Sequence, residues 1–229
     1  MGARGWGRGR RAGARAGPAG GAARGGRLAG RAAGGGGGGG GALEALRAAG
    51  PGAGPGQYAA AMAAARAAGD AGQVFEILGA LRLFLAPDAR CLEIALGAAL
   101  EQGAEAGAGQ LVEVLDLMAE QGVGIADAAV TAQALSVLDR AGEQGAVVRL
   151  WNAGQVPAGL LEESPEAFLA VVRALARGGE AGLAAELLEA AVDSGRGPPR
   201  LAFDAVITGL SAAGQFDLAG EVMEWRDYL

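Results

Sequence analysis

Apolar positions recur at helical spacing through most of the chain, and in the last third they also repeat at one fixed interval. From Pro165 to Arg177 the apolar residues fall three or four positions apart, which predicts an amphipathic helix. Ser164 before Pro165 is typical of a helix N-cap followed by a first-turn proline. A glycine pair at 178–179 ends this pattern, and a second helical pattern follows from about 181 to 192. The sequence therefore predicts two helices joined by a short turn.

The same pair of helices returns 35 residues later, because each landmark position is filled twice (203 − 168 = 35). The matching positions are Phe168 and Phe203, Val172 and Ile207, Leu175 and Leu210, Gly179 and Gly214, and Ala184 and Ala219. An offset of this size is typical of stacked supersecondary units. A single pair of helices cannot bury its own apolar face, so we expect neighbouring pairs to stack into a solenoid.

Three weaker copies extend the pattern towards the N-terminus. The copy at 129–151 turns at Gly142, and the copy at 57–81 turns at Gly69. The stretch from 91 to 123 fits loosely, and residues 101–110 predict a lengthened turn within it. The sequence thus predicts an all-α array of about five helical hairpins over residues 55–229.

These residues resemble the pentatricopeptide repeat family, whose unit is a helical hairpin with an aromatic residue near its start. The segment AFDAVITGLSAAGQFDLAGEVMEW at 202–225 matches closely, and AFLAVVRALARGGEAGLAAELLEAA at 167–191 matches fairly. The alternative is the tetratricopeptide repeat, which has a period of about 34 residues and a different first helix. The strict offset and the apolar pair at 206–207 favour the pentatricopeptide repeat. That resemblance implies a right-handed α-solenoid.

The resemblance also implies a function, since repeats of this family bind single-stranded RNA with one base for each unit. In the family, the base is set by the residue after the aromatic position and by the last residue of the unit. The first role falls on Ala59, Ile94, Ala132, Leu169 and Asp204, and the second on Ala89, Asp127, Ser164 and Pro199. Most of these side chains cannot bond a base edge. Asp127, Ser164 and Asp204 are therefore the candidates for base contact, and no RNA target sequence follows from them.

A basic residue just before the glycine turn is a second family feature, and it usually faces the RNA backbone. Arg140 and Arg177 hold this position, whereas the last unit has Ala212 instead. Two interpretations are open for both arginines: contact with phosphate, and ordinary solvation. Contact with phosphate would add each arginine to the RNA-binding candidates.

Charge is divided unevenly along the chain. Residues 1–41 hold eight arginines and no acid, whereas the remainder holds 11 arginines against 25 acids, a net charge of −14 (11 − 25). Neutralisation of phosphates supplies most non-specific affinity for nucleic acid, so an acidic array counts against tight RNA binding. The alternative function is therefore a protein-interaction scaffold, or a structural component of an organellar assembly such as a ribosome.

The acid-free leader at 1–41 predicts an organellar transit peptide that ends in a flexible linker of eight glycines. An arginine–glycine RNA-binding arm and a wrongly assigned start in a G/C-rich gene are the other interpretations. Residues 42–54 are expected to be a linker or a remnant helix. The family resemblance implies a plant or algal organelle, with the chloroplast expected before the mitochondrion. No polar capping unit follows Leu229, so a truncated gene is one expectation.

Several functions are disfavoured by what the sequence lacks. The chain has no histidine and one cysteine, Cys91, so it lacks the zinc ligands of the deaminase domain that some family members carry. No run of about 18 apolar residues is present, so no membrane span is predicted. We therefore expect no enzymatic activity, no metal or cofactor, and no small-molecule substrate.

Overall fold

The computed structural model describes Leu43, Glu44, Leu46, Ala48 and residues 52–228, so the predicted leader and glycine linker at 1–41 lie outside the described residues. Ten helices lie between Pro55 and Tyr228, and no strand is found in the described part of the chain. The helices are α1 (Pro55–Ala67), α2 (Ala71–Arg82), α3 (Ala89–Glu120), α4 (Ala128–Ala141), α5 (Gln144–Asn152), α6 (Ala158–Glu163), α7 (Pro165–Arg177), α8 (Ala181–Asp193), α9 (Arg200–Ala212) and α10 (Phe216–Tyr228). The all-α prediction is confirmed.

Helix α3 is itself a hairpin, because Gly103 interrupts it with a φ of 74° and a ψ of −168°. An ideal Cβ on Gly107 would lie 2.1 Å from the carbonyl oxygen of Ala99. Eight residues of straight helix would instead separate the two positions by about 12 Å. The chain therefore reverses sharply at Gly103 and is helical again from Ala104, so the predicted lengthened turn at 101–110 is wrong.

Five hairpins result, and the interval from the N-cap of the first helix to the glycine turn is the same in all of them. Each first helix starts after a capping residue, and a glycine with positive φ lies 15 residues later (69 − 54 = 15). The five pairs are Gly54 and Gly69, Asp88 and Gly103, Asp127 and Gly142, Ser164 and Gly179, and Pro199 and Gly214. Glycine adopts a positive φ without steric cost, which suits it to these turns. All variation in unit length therefore lies in the second helices and the loops, including the short α6 of the third unit.

The fourth residue after each capping residue is buried in every first helix. These five residues are Tyr58, Leu92, Thr131, Phe168 and Phe203. Because Leu92 holds this position in the second hairpin, the residue that follows it is Glu93. The sequence-based choice of Ile94 is wrong by one residue. The same shift moves the last residue of the first unit from Ala89 to Asp88, which is the N-cap of α3.

The first helices contact one another in chain order: α1 with α3, α3 with α4, α4 with α7, and α7 with α9. Small residues allow the closest approach, since an ideal Cβ on Gly209 of α9 would lie 2.6 Å from the carbonyl oxygen of Ala176 in α7. The predicted solenoid of stacked hairpins is confirmed. Leu43 and Leu46, both helical, are buried in the same core at its N-terminal end. Whether residues 42–54 are a linker or a remnant unit stays a prediction.

Cys91 lies in this core, where its thiol contacts the carbonyl oxygen of Pro55 at 3.8 Å. Burial, and after it a side-chain hydrogen bond to Asp88, together raise the pKa of the thiol to about 12. Because the thiolate is the nucleophile, we expect iodoacetamide at about pH 8 to modify Cys91 slowly in the folded chain and quickly in denaturant. Mass spectrometry of quenched samples measures both rates. Equally fast modification without denaturant would contradict the buried placement.

Candidate nucleic-acid interface

The two layers of the solenoid differ strongly in charge. The first-helix layer consists of α1, residues 89–102 of α3, α4, α7 and α9, and the second-helix layer of α2, residues 104–120 of α3, α5, α8 and α10. The first-helix layer has six arginines and five acids, a net charge of +1, whereas the second-helix layer has three arginines and twelve acids, a net charge of −9. The acidic charge that counted against RNA binding is thus concentrated in one layer.

Ion pairs tie successive first helices together and use some of these charges. Arg66 Nη2 of α1 lies 2.7 Å from Glu101 Oε1 of α3, and its guanidinium lies across Gly97, where a Cβ would collide with it. Arg173 Nη1 of α7 lies 2.7 Å from Asp139 Oδ2 of α4. These four groups neutralise each other and are less available to a ligand.

Arg140 and Arg177 differ from these arginines, because both are exposed and neither forms an ion pair within the described residues. Each lies two residues before the glycine turn of its hairpin, and their helices α4 and α7 are in contact. Arg140 Nε donates only to the Ser136 carbonyl oxygen of its own helix, at 3.2 Å. The structure therefore places two cations at matching positions on neighbouring first helices.

Asp127 and Ser164 lie at the other ends of the same two helices and act as N-caps. Asp127 Oδ1 accepts hydrogen bonds from the amides of Ala129 and Val130 at 2.7 and 3.4 Å. Ser164 Oγ accepts from the amide of Ala167 at 3.2 Å, as the sequence predicted for a cap. Capping uses one oxygen of each side chain, so a ligand is left with Asp127 Oδ2 and a partly engaged hydroxyl.

The capping residues and the arginines form two rows rather than one cluster. Thirteen residues separate Asp127 from Arg140 and also Ser164 from Arg177 (140 − 127 = 13), which is about 20 Å along a helix. A ligand strand that contacts both rows would have to cover the length of the first helices.

Asp204 lies on α9 and is already paired. Arg226 Nη1 of α10 lies 3.1 Å from Asp204 Oδ1, and the same guanidinium contacts Asp227. Hydrogen bonds to Asp227 and then to Asp204 raise the pKa of Arg226 above its ordinary value. Asp204 is exposed, but its carboxylate is held by the second helix of its own hairpin.

A cavity of about 410 Å³ opens between the second and third hairpins. Glu93 and Asp127 line it beside Arg66 and apolar side chains such as Leu96 and Val130. The sequence pattern missed Glu93 because it set the second hairpin one residue out of register. The constant interval between the buried position and the glycine turn, 11 residues in the clear units (179 − 168 = 11), is the signal that identifies it.

The fold and this face define an α-helical repeat protein whose acidic charge is concentrated in one helix layer. Its structure is similar to that of the pentatricopeptide repeat protein PPR10 in complex with an 18-nt psaJ RNA element, with a TM-score of 0.37 and 17% identity. A cysteine-to-serine variant of that complex gives the same values. The similarity covers 76% of this chain and 28% of PPR10, so this chain spans under a third of that protein.

No protein-family model and no curated protein sequence matches the chain. Within residues 52–228 and the four helical residues before them, no helix is both long and apolar enough to cross a membrane. In that same part of the chain, no group of three or more His, Cys, Asp or Glu side chains is arranged to hold a metal ion.

Proposed function

We propose that this chain is a single-stranded RNA-binding repeat protein of a plant or algal organelle, the chloroplast before the mitochondrion, that acts in transcript stabilisation, processing or translation. The separation of charge between the two helix layers carries the proposal. Phosphates need nearby cations and few nearby anions. The first-helix layer has a net charge of +1, while twelve of the acids lie in the other layer.

Arg140 and Arg177 are the residues that we propose to contact phosphate. Both are exposed, both stand before a glycine turn, and the contact between α4 and α7 brings their helices together. Phosphate contacts position a strand without reading its sequence. Base contacts would fall to Asp127 Oδ2, to the partly engaged hydroxyl of Ser164 and to Asp204 Oδ2. Binding of this kind is passive, because a covered transcript is shielded from nucleases and cannot refold.

The organellar part of the proposal rests on the leader at 1–41, which is rich in arginine and free of acids. Such a composition is typical of transit peptides. The resemblance of the hairpins to pentatricopeptide repeats supports the same location, since that family acts mostly in plant and algal organelles.

RNA binding across a salt series tests the proposal in the full chain. The double variant Arg140→Gln/Arg177→Gln is compared with the unmodified chain on a fluorescent single-stranded RNA of random sequence. Each phosphate contact contributes about 0.7 to the slope of log affinity against log salt for a single strand. We therefore expect the double variant to bind more weakly and to reduce the slope by about 1.4.

The matched control removes two arginines from the second-helix layer, as Arg82→Gln/Arg149→Gln. These arginines pair with Glu113 and Asp116 on exposed surface, so their loss costs little stability. Net charge changes equally in both double variants, and the leader arginines are the same in all three proteins. An equal loss of affinity in both double variants would contradict the proposed interface.

A protein-interaction scaffold within an organellar assembly is the second candidate function. The second-helix layer, with its net charge of −9, favours this function because it offers a broad acidic surface to a basic protein partner. Absence of RNA binding by the unmodified chain at low salt would favour the scaffold over the RNA-binding function.

A further inference from the structure

The cavity between the second and third hairpins has an excess of negative charge. Glu93, Glu101 and Asp127 line it together with Arg66, so its charged lining has a net charge of −2 (1 − 3). Arg66 is already paired with Glu101 at 2.7 Å. The remaining negative charge belongs to Glu93 and Asp127, which come from neighbouring hairpins and form no ion pair within the described residues.

Both of these carboxylates have oxygens that can accept further hydrogen bonds. Asp127 caps α4 with Oδ1, which accepts from the amides of Ala129 and Val130, and this leaves Oδ2 for another donor. Glu93 is exposed on the first half of α3. An ionised carboxylate accepts hydrogen bonds and donates none, so a ligand between the two must supply donors.

The buried part of the cavity lining is apolar. Leu96, Leu100 and Met118 line the cavity and are only 3%, 6% and 0% exposed. Ile125 and Val130 also line it and are half-buried. A ligand with an aliphatic stem would cover this surface while its charged end stays at the carboxylates.

A guanidinium group satisfies these requirements better than the other common groups. Phosphate groups are repelled by the excess negative charge. An ammonium group is a compact point charge that is strongly hydrated, so it loses more hydration when it enters the cavity. Guanidinium has five donors in a planar fork, which allows one group to bond two carboxylates at once, and it is weakly hydrated.

We propose that this cavity binds an arginine side chain from a basic segment of a partner protein. The guanidinium contacts Glu93 and Asp127, and the aliphatic stem lies against Leu96 and Val130. The site is separate from the acidic surface of the second-helix layer, because Glu93 lies on a first helix and Asp127 caps another. The inference does not depend on RNA binding. Since Asp127 Oδ2 is also a candidate base contact, an arginine and an RNA base would exclude each other there.

Fluorescence anisotropy of the full chain with a short labelled peptide of glycine and arginine tests the proposal. A peptide with citrulline in place of every arginine is the comparison, because citrulline lacks the positive charge and has nearly the same shape. Salt at 0.15 M screens the attraction between distant surface charges. We expect the arginine peptide to bind at least about tenfold more tightly than the citrulline peptide, since charged hydrogen bonds are stronger than neutral ones.

Neutral variants of the two carboxylates locate the binding. We expect Glu93→Gln and Asp127→Asn each to weaken binding of the arginine peptide about tenfold. Asparagine is as good an N-cap as aspartate, so Asp127→Asn should leave α4 intact, which circular dichroism checks.

Glu76→Gln is the matched control, because Glu76 is an exposed acid on α2 that forms no ion pair within the described residues and does not line the cavity. It removes the same charge and should leave binding unchanged. Three results would overturn the proposal: no binding of the arginine peptide, equal binding of the citrulline peptide, or equal weakening by Glu76→Gln and the two cavity variants.

Discussion

Gly209→Val is expected to destabilise the packing of the fifth hairpin on the fourth by about 3 kcal/mol. The first atom of any side chain at this position would lie 2.6 Å from the carbonyl oxygen of Ala176 and 3.1 Å from the Cβ of the same residue. Both atoms belong to the well-packed α7, so neither can move aside like the end of a long side chain. The two first helices must separate, and contacts along the whole of α9 are lost with them.

Tryptophan fluorescence during urea unfolding locates this loss. Trp225 lies in the fifth hairpin and Trp151 in the third, so Trp→Phe changes allow each to be followed separately. Because each unit of a repeat array contacts only its neighbours, the Trp225 transition should move to lower urea more than the Trp151 transition. Equal shifts of the two transitions would show that the array unfolds as one unit.

Gly79→Ala is the control for this prediction, and its expected effect has the opposite sign. Gly79 lies inside α2, is exposed, and has no atom near the position of a Cβ. Alanine there should stabilise the chain by about 0.5–1 kcal/mol through helix propensity alone. A loss of stability in both variants would mean that the effect of Gly209→Val does not come from the close contact of Gly209 with Ala176.

Arg173→Met is expected to lower the free energy of unfolding by about 2 kcal/mol. The double variant Arg173→Met/Asp139→Leu should recover most of that stability. The Asp139 side chain is only 12% exposed and that of Arg173 is 22% exposed. Asp139 Oδ1 also has no hydrogen-bond partner in the described structure, so Arg173 alone neutralises this carboxylate. Removing one charge leaves the other poorly hydrated, whereas replacing both leaves an apolar contact between α4 and α7.

A double-mutant cycle by urea unfolding measures this coupling. The pair Arg66 and Glu101 serves for comparison, because it also joins successive first helices but its side chains are 37% and 54% exposed. Hydration and side-chain entropy should limit its coupling to less than about 1 kcal/mol. An equally large coupling energy in the exposed pair would contradict the expectation that burial strengthens the coupling between Arg173 and Asp139.

The last two hairpins could be predicted from sequence in some detail, because their landmark positions repeat at exact offsets. The second hairpin could not, because its turn lies in a run of alanine, glycine and polar residues that is typical of a loop. The structure is helical there since Gly107 packs directly on the backbone of Ala99, a contact that needs no side chain and leaves no apolar pattern. The alignment of the second hairpin with the other units was therefore one residue out of register, and Glu93 was not chosen as the residue after the buried position.

The candidate interface was only half predictable for a related reason. Net charge can be counted from sequence, but its division between two helix layers depends on where each hairpin turns. Asp127 also has a local role that family resemblance does not convey: its carboxylate caps α4 before it can contact any ligand. Arg140 and Arg177 could be chosen as candidates because their position before a glycine is visible in the sequence.

The constant interval in the first helices has a consequence for engineering this array. Capping residues and glycine turns form two rows, and 15 residues separate the two in every hairpin. One residue added between a cap and its glycine would rotate everything after it by about 100° and move every later side chain to another side of the helix. Residues added after Gly154 leave the interval from cap to glycine unchanged, as the short α6 in that position shows. Hairpins can therefore be exchanged as cassettes if the interval from cap to glycine is kept.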